Sequence, residues 1–179
     1  MSLPRKGIKR QKLPSKGIKP RKTEIGLWRE WFVPDGAYRR YRGLKGIYWY
    51  YFSKTIRTRD YEEHGGLCMT CLMPVEKGSD QCGHLFPAKD CGFGLLFHPL
   101  NNHLQHSKCN NPRLTPSAGI LNTLNITKRY GVGTIEMLAE HKKQKTKEWN
   151  KKEYEKRIRK LPAFRLWTNT LKENKSQVL

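Results

Sequence analysis

Gly65-Gly66-Leu67-Cys68-Met69-Thr70-Cys71, then Cys82-Gly83-His84, then Leu95-Leu96-Phe97-His98-Pro99-Leu100-Asn101-Asn102-His103-Leu104-Gln105-His106-Ser107-Lys108-Cys109-Asn110, is the stretch whose reading decides the fold. Cys68-x-x-Cys71 and His106-x-x-Cys109 are two half-sites of soft donors at the spacing of a tetrahedral zinc clip. Beside them stand polar groups that a purely structural knuckle does not need: His84, Asn101, His103 and Asn110. Each also has a plainer role open to it. His84 could pack beside the clip, Asn101 could cap a helix, and His103 could face solvent. Cys82 and Cys91 lack a C-x-x-C partner and read as small buried hydrophobes, with Cys82 an alternative to His106 in the clip. His64 and His98 read as surface residues.

The chain divides around this stretch. Residues 1–22 hold a ten-residue repeat, Leu3 to Lys12 and Leu13 to Lys22, with nine Lys/Arg, no acid and several Pro and Gly. Such a segment buries too little apolar surface to offset its ordering entropy, so a disordered basic arm is expected. Residues 23–66 interleave aromatics with arginines. Tyr48 to Asp60 is predicted helical, ended by Gly65-Gly66, with Trp49, Phe52 and Ile56 packing and other aromatics open to base stacking. Residues 67–115 form the zinc-braced core, and 116–140 a helical support. Within that support Thr115-Pro116-Ser117 starts a helix over Ala118 to Tyr130, ended by Gly131, with Ile120, Leu121, Leu124 and Ile126 on its buried face. A second helix from Gly133-Thr134 is predicted to carry Ile135, Leu138 and Trp149. It continues into the basic run of residues 141–179, where Pro162 breaks it and Phe164, Leu166 and Trp167 dock the last helix.

Composition names the partner class. Thirty-six Lys+Arg against 15 Asp+Glu give a net charge of +21 in 179 residues, which points to a polyanion, with nucleic acid ahead of a membrane surface. No apolar run approaches the ~20 residues of a membrane span, and the basic, Pro/Gly-punctuated start is unlike a signal peptide. Five cysteines, two at metal spacing, read as reduced thiols, hence a cytoplasmic setting.

The pattern resembles the ββα-metal, or His-Asn-His (HNH), nucleases. Those often place a histidine after the first Cys pair, an asparagine five residues before the second pair, and His or Asn directly after the last cysteine. His84, Asn101 and Asn110 occupy these positions. The strings Cys82-Gly-His-Leu-Phe-Pro and Leu95-x-Phe-x-Pro-x-Asn-x-His-x-Gln-x-Ser-x-Cys-Asn110, with the approach Phe52 to Asp60, resemble the NinG family of phage recombination endonucleases over roughly Tyr48 to Glu140. The chain differs in having His106 where that family has cysteine. Gly83 also stands where many HNH nucleases carry a metal-binding Asp or His.

The resemblance implies an α+β fold: a small zinc-braced ββα-metal finger flanked by helices. It implies an HNH-type endodeoxyribonuclease that hydrolyses phosphodiester bonds in branched recombination intermediates, of Holliday-junction or D-loop type. His84 would be the general base and Asn101 would fix its ring. His103 and Asn110 would hold a catalytic Mg²⁺ or Mn²⁺, while Cys68, Cys71, His106 and Cys109 hold a structural Zn²⁺. Expected DNA contacts are Arg5, Lys6, Lys9, Arg10, Lys54, Arg57, Arg59, Lys89, Lys108, Arg113, Lys142 and Lys143. A homodimer would suit a symmetric junction, and the setting would be the cytoplasm of a phage host. The competing reading is a zinc-braced nucleic-acid-binding protein without cleavage activity.

Overall fold

A 22-residue helix, α1 (Gly43–His64), runs through the centre of the molecule. The computed structural model describes residues 43–144 and 146–176, with side chains through residue 169. The basic arm, the aromatics before residue 43, and Arg5, Lys6, Lys9 and Arg10 therefore lie outside the described residues. Ile47, Tyr48, Trp49, Tyr51, Phe52, Ile56 and Asp60 of α1 are all buried, so the helix is covered on several sides rather than along one stripe. Gly65 and Gly66 end it at φ +65° and +69°, a left-handed pair that side chains rarely adopt. A Cβ at Gly66 would also meet the Tyr61 ring at 2.6 Å.

The chain then makes a tight knuckle in which Cys68 N–H donates to Met73 O and Leu72 N–H to Cys68 O, each at 2.9 Å. Strands β1 (Asp80–His84) and β2 (Asn102–His106) form a two-stranded antiparallel sheet, with Asp80 opposite His106 and His84 opposite Asn102. Between them lie a short helix, α2 (Phe93–Leu96), and a 3-10 turn, Pro99–Asn101. Helices α3 (Ala118–Tyr130), α4 (Gly133–Lys143), α5 (Lys151–Lys160) and α6 (Pro162–Ser176) complete an α+β fold. None of the described helices is long and apolar enough to cross a membrane.

The core is aromatic. Tyr48 meets Phe97 edge-on at 4.9 Å and Trp149 at 5.0 Å, and Tyr51 meets Phe164 at 5.1 Å. Tyr154 and Ile158 of α5 and Phe164 of α6 join this cluster. The basic C-terminal segment is therefore packed on α1 through an apolar face instead of standing apart. Tyr48, Trp49, Tyr51 and Phe52 are likewise core residues and not a base-stacking surface.

Three readings are corrected. The basic helix is two helices. The first ends at Gln144, Thr146 Oγ1 accepts from Gly94 N–H at 2.6 Å, and Asn150 caps a new start by accepting from Glu153 N–H at 3.0 Å. Trp149 thus lies in the connection, packed on Phe93 and Phe97. In α3 the buried face is Ala118, Asn122 and Ile126, while Ile120 and Leu124 are exposed. A hydrogen-bonding Asn122 shifts that face by part of a turn. Leu166 is exposed, and Phe164 and Trp167 do the docking.

Asp60 ties the sheet to the helix. Its carboxylate, 1% exposed, accepts from Leu104 N–H at 2.6 Å and from Arg59 Nε at 2.8 Å. Asp60→Ala would leave Arg59 and a strand N–H without their acceptor. A loss of roughly 3–5 kcal/mol in unfolding free energy, read from denaturant midpoints, is expected.

Candidate metal centre and the adjoining pocket

Cys68, Cys71, His106 and Cys109 converge, their ligand atoms all within 4.8 Å of one another. Two elements build this cluster. The knuckle after α1 supplies Cys68 and Cys71, and the turn leaving β2 supplies His106 and Cys109. Met69 N–H donates to Leu104 O at 2.9 Å, and Asn125 Nδ2 of α3 donates to Met69 O and Thr70 O at 2.7 and 3.0 Å, so the knuckle is held from both sides. His106 Nε2 lies 3.0 Å from the Pro74 carbonyl, which can only accept. That fixes the proton on Nε2 and leaves Nδ1, 3.4 Å from Cys71 Sγ, as the ligand atom.

The donor set fits zinc. Burial pushes the Cys68 thiol up, yet N–H groups of Cys71, His106 and Thr70 outweigh it and bring it down to about 7. Burial and the neighbouring Cys68 and Cys71 push the Cys109 thiol up to about 12. Three thiolates brought this close would need a cation to neutralise them, and a closed Cys₃His set is of the kind that can hold zinc. Cys82 and Cys91 stand outside the cluster. Cys82 is in the core, and Cys91 Sγ–H donates to Phe86 O at 3.1 Å.

Next to the clip lies a pocket of about 450 Å³ lined by His84, Lys89, Gln105, Cys109, Asn110 and Asn122, among others. His84 ends β1, and its ring stacks on Trp49 with centroids 5.0 Å apart and planes 10° off parallel. Asn110 directly follows the last cysteine. Its Nδ2 donates to Gln81 Oε1 at 2.9 Å, and its Oδ1 turns toward Gly83.

Asn101 has a different role from the one expected. It is fully buried; its Oδ1 accepts from Phe86 N–H at 2.8 Å and its Nδ2 donates to Leu95 O at 3.1 Å. Its backbone carbonyl accepts from Leu85 N–H at 2.9 Å. Asn101 thus pins the chain immediately after His84 and does not orient the His84 ring.

His103 is not a pocket residue, and its assignment as a cation ligand is corrected. At 2% exposure it lies against Tyr130; its Nδ1 is 3.3 Å from Arg59 and its Nε2 2.8 Å from Leu100 O. Burial lowers its pKa to about 4, with Arg59 and Arg129 adding to the effect against Asp60. A neutral ring with both nitrogens engaged has no lone pair to offer a cation.

Among the expected DNA contacts, Arg59 is also withdrawn. It donates to Pro99 O at 3.2 Å and Asn102 O at 3.1 Å while pairing with Asp60. Arg57 pairs with Asp80 at 2.8 Å, and Lys143 with Glu140 at 2.6 Å. Lys54, Lys89, Lys108, Arg113 and Lys142 are exposed. His64 bonds Tyr130 Oη at 3.0 Å, and His98 accepts from Leu100 N–H at 3.2 Å, so both are built into the structure.

The residue that sequence reasoning missed is Gln105. Only 2% exposed, it donates through Nε2 to Thr70 Oγ1 at 2.8 Å and Asn122 Oδ1 at 3.1 Å. Its Oε1 is buried without a hydrogen-bond partner. An unsatisfied buried acceptor costs on the order of 1–3 kcal/mol. The available signal was Gly83, since glycine inside a strand marks a close approach.

Comparison of the chain with family models, curated proteins and solved structures returned no match.

Two outcomes follow from this geometry. The purified protein is expected to carry one zinc per chain by elemental analysis, and Cys109→Ala to lose it together with thermal stability. The buried neutral His103 makes stability acid-sensitive. Below pH 6.5 the unfolded chain binds a proton there that the folded chain refuses until about pH 4. Stability is therefore full above 6.5 and declines as the pH falls toward 4, by at most roughly 3 kcal/mol. Urea titrations across this range should show a shallower slope in His103→Asn.

Proposed function

We propose that the protein is a metal-dependent DNA endonuclease of the ββα-metal type, hydrolysing phosphodiester bonds in branched recombination intermediates. One observation carries the reading. His84 at the end of β1 and Asn110 just after the clip line one pocket beside exposed Lys89, while Asn101 pins the connection that follows His84. A structural zinc knuckle has no need of that convergence. The net charge of +21 supports a phosphodiester substrate, and the likeness to recombination endonucleases supports branched DNA.

In this mechanism the His84 imidazole takes a proton from the attacking water. Its plane is set by the Trp49 indole, and its position by the Asn101 clamp on Leu85 and Phe86. Lys89 at the pocket rim attracts the phosphate and holds it by charge. Asn110 presents an amide oxygen to a divalent cation, which when bound neutralises charge at the scissile phosphate. The Cys₃His clip holds Asn110 in place and takes no part in the chemistry.

The test is a cleavage assay on four-way junctions and linear duplex with Mg²⁺, Mn²⁺ or chelator. His84→Ala is expected to lose a factor of roughly 10²–10⁴ in cutting, the usual worth of a general base, with zinc content and junction binding retained. A wild-type protein that binds junctions and cuts nothing with either cation would instead be a zinc-braced binding protein.

A further inference from the structure

Gly83 has no side chain, and two amide oxygens occupy the space. A Cβ at residue 83 would lie 1.5 Å from Gln105 Oε1 and 2.6 Å from Asn110 Oδ1. Both oxygens therefore converge on the strand position next to His84, in the same pocket. Gln105 cannot easily turn away, because its Nε2 is held by Thr70 and Asn122, and Asn122 Oδ1 already accepts from the Thr70 hydroxyl at 2.7 Å. Its Oε1 is a buried acceptor without a hydrogen-bond partner. Asn110 is held in the same sense by its Nδ2 bond to Gln81.

We infer that Gln105 Oε1 and Asn110 Oδ1 form a paired oxygen site for a hard divalent cation, Mg²⁺ or Mn²⁺, admitted by the missing side chain at Gly83. The inference rests on reading this pocket as the reaction site. It supplies from the opposite strand the ligand that residue 83 does not offer and His103 cannot. Cis ligands of an octahedral Mg²⁺ at 2.0–2.1 Å stand about 3 Å apart, a separation two converging amide oxygens can meet. Both donors are neutral, so several positions stay with water or phosphate oxygens, as Mg²⁺ prefers. Soft Zn²⁺ is drawn to the thiolate clip instead, and the two sites divide by donor chemistry.

The experiment titrates Mn²⁺ into the zinc-loaded full chain without DNA, reading free Mn²⁺ by electron paramagnetic resonance. Gln105→Met keeps the side-chain length and removes the oxygen; at least a tenfold weaker Mn²⁺ affinity is expected, with zinc unchanged. Gly83→Ala leaves both oxygens in the sequence but fills their space, and a similar loss is expected. Asn110→Asp adds a charge at a half-exposed position and is expected to tighten binding at least tenfold. If Gln105→Met fails to fold, the Gly83→Ala and Asn110→Asp pair decides. Absence of Mn²⁺ binding by the wild type, or unchanged binding in Gln105→Met or Gly83→Ala, overturns the site. Mn²⁺ binding that follows these variants in a protein that cuts no DNA upholds the site and removes the nuclease reading. Metal-dependent cutting with Mn²⁺ binding indifferent to Gln105 removes the site and leaves the nuclease.

Discussion

The buried carboxylate of Asp60 is the contact on which the arrangement of helix and sheet depends. From the last turn of α1 it accepts the Leu104 N–H in the middle of β2, and it is neutralised by Arg59 beside it. Arg59 reaches on to the carbonyls of Pro99 and Asn102, so one charge pair fixes both the strand and the turn that feeds it. A carboxylate and a guanidinium can be buried together because each satisfies the other and the remaining donors find backbone acceptors. Burial is the main reason that His103, 3.9 Å from Asp60 and 3.3 Å from Arg59, stays neutral, with the Arg59 charge adding to it against Asp60.

Once β2 is fixed, its last two residues serve two sites. Gln105 enters the pocket, while His106 turns to the clip. Cys109 both completes the Cys₃His set and lines the pocket, and Asn110 follows it directly. The clip and the pocket therefore share a wall. A cation held by the clip would thus brace the 106–110 turn and with it Asn110, a pocket residue it would not touch. The opposite wall is independent of the clip: His84 rests on Trp49 of α1, and Asn101 secures the connection behind it.

The parts legible in the sequence were those written in local spacing. The two half-sites, the Gly65-Gly66 stop and the Ala118 to Tyr130 helix between a Pro-led start and Gly131 all appear where spacing and backbone preference place them. What was illegible depended on partners far along the chain. His103 reads as a ligand until Asp60 and Arg59, more than forty residues away, are brought against it. Gln105 reads as an ordinary strand residue until the register sets Gly83 opposite His103 and opens space for its oxygen. The periodicity of Ile120, Leu121 and Leu124 misleads for a similar reason: α3 faces the core with Asn122, whose Oδ1 is needed by Thr70 and Gln105.

The distribution of positive charge follows the same division between built-in and available groups. Arg57 and Arg59 on α1, which touch the sheet at Asp80 and Asn102, are tied to Asp80 and Asp60 and hold the fold together. The loop after His84 carries its own cations. Lys89 lies at the pocket, and Lys142 of α4 reaches over the Phe86 ring at 5.4 Å to the same loop. Both lysines are exposed, and the Lys142 ammonium sits over an aromatic face, an arrangement that places charge without burying it. Lys108 and Arg113 are exposed on the chain that leaves the clip. Exposed ammonium groups attract a polyanion over about a Debye length and lose little on binding, because they release counterions from the DNA in return. The cations the fold needs are thus paired with buried or half-buried carboxylates, and the exposed ones stand free of that structural role.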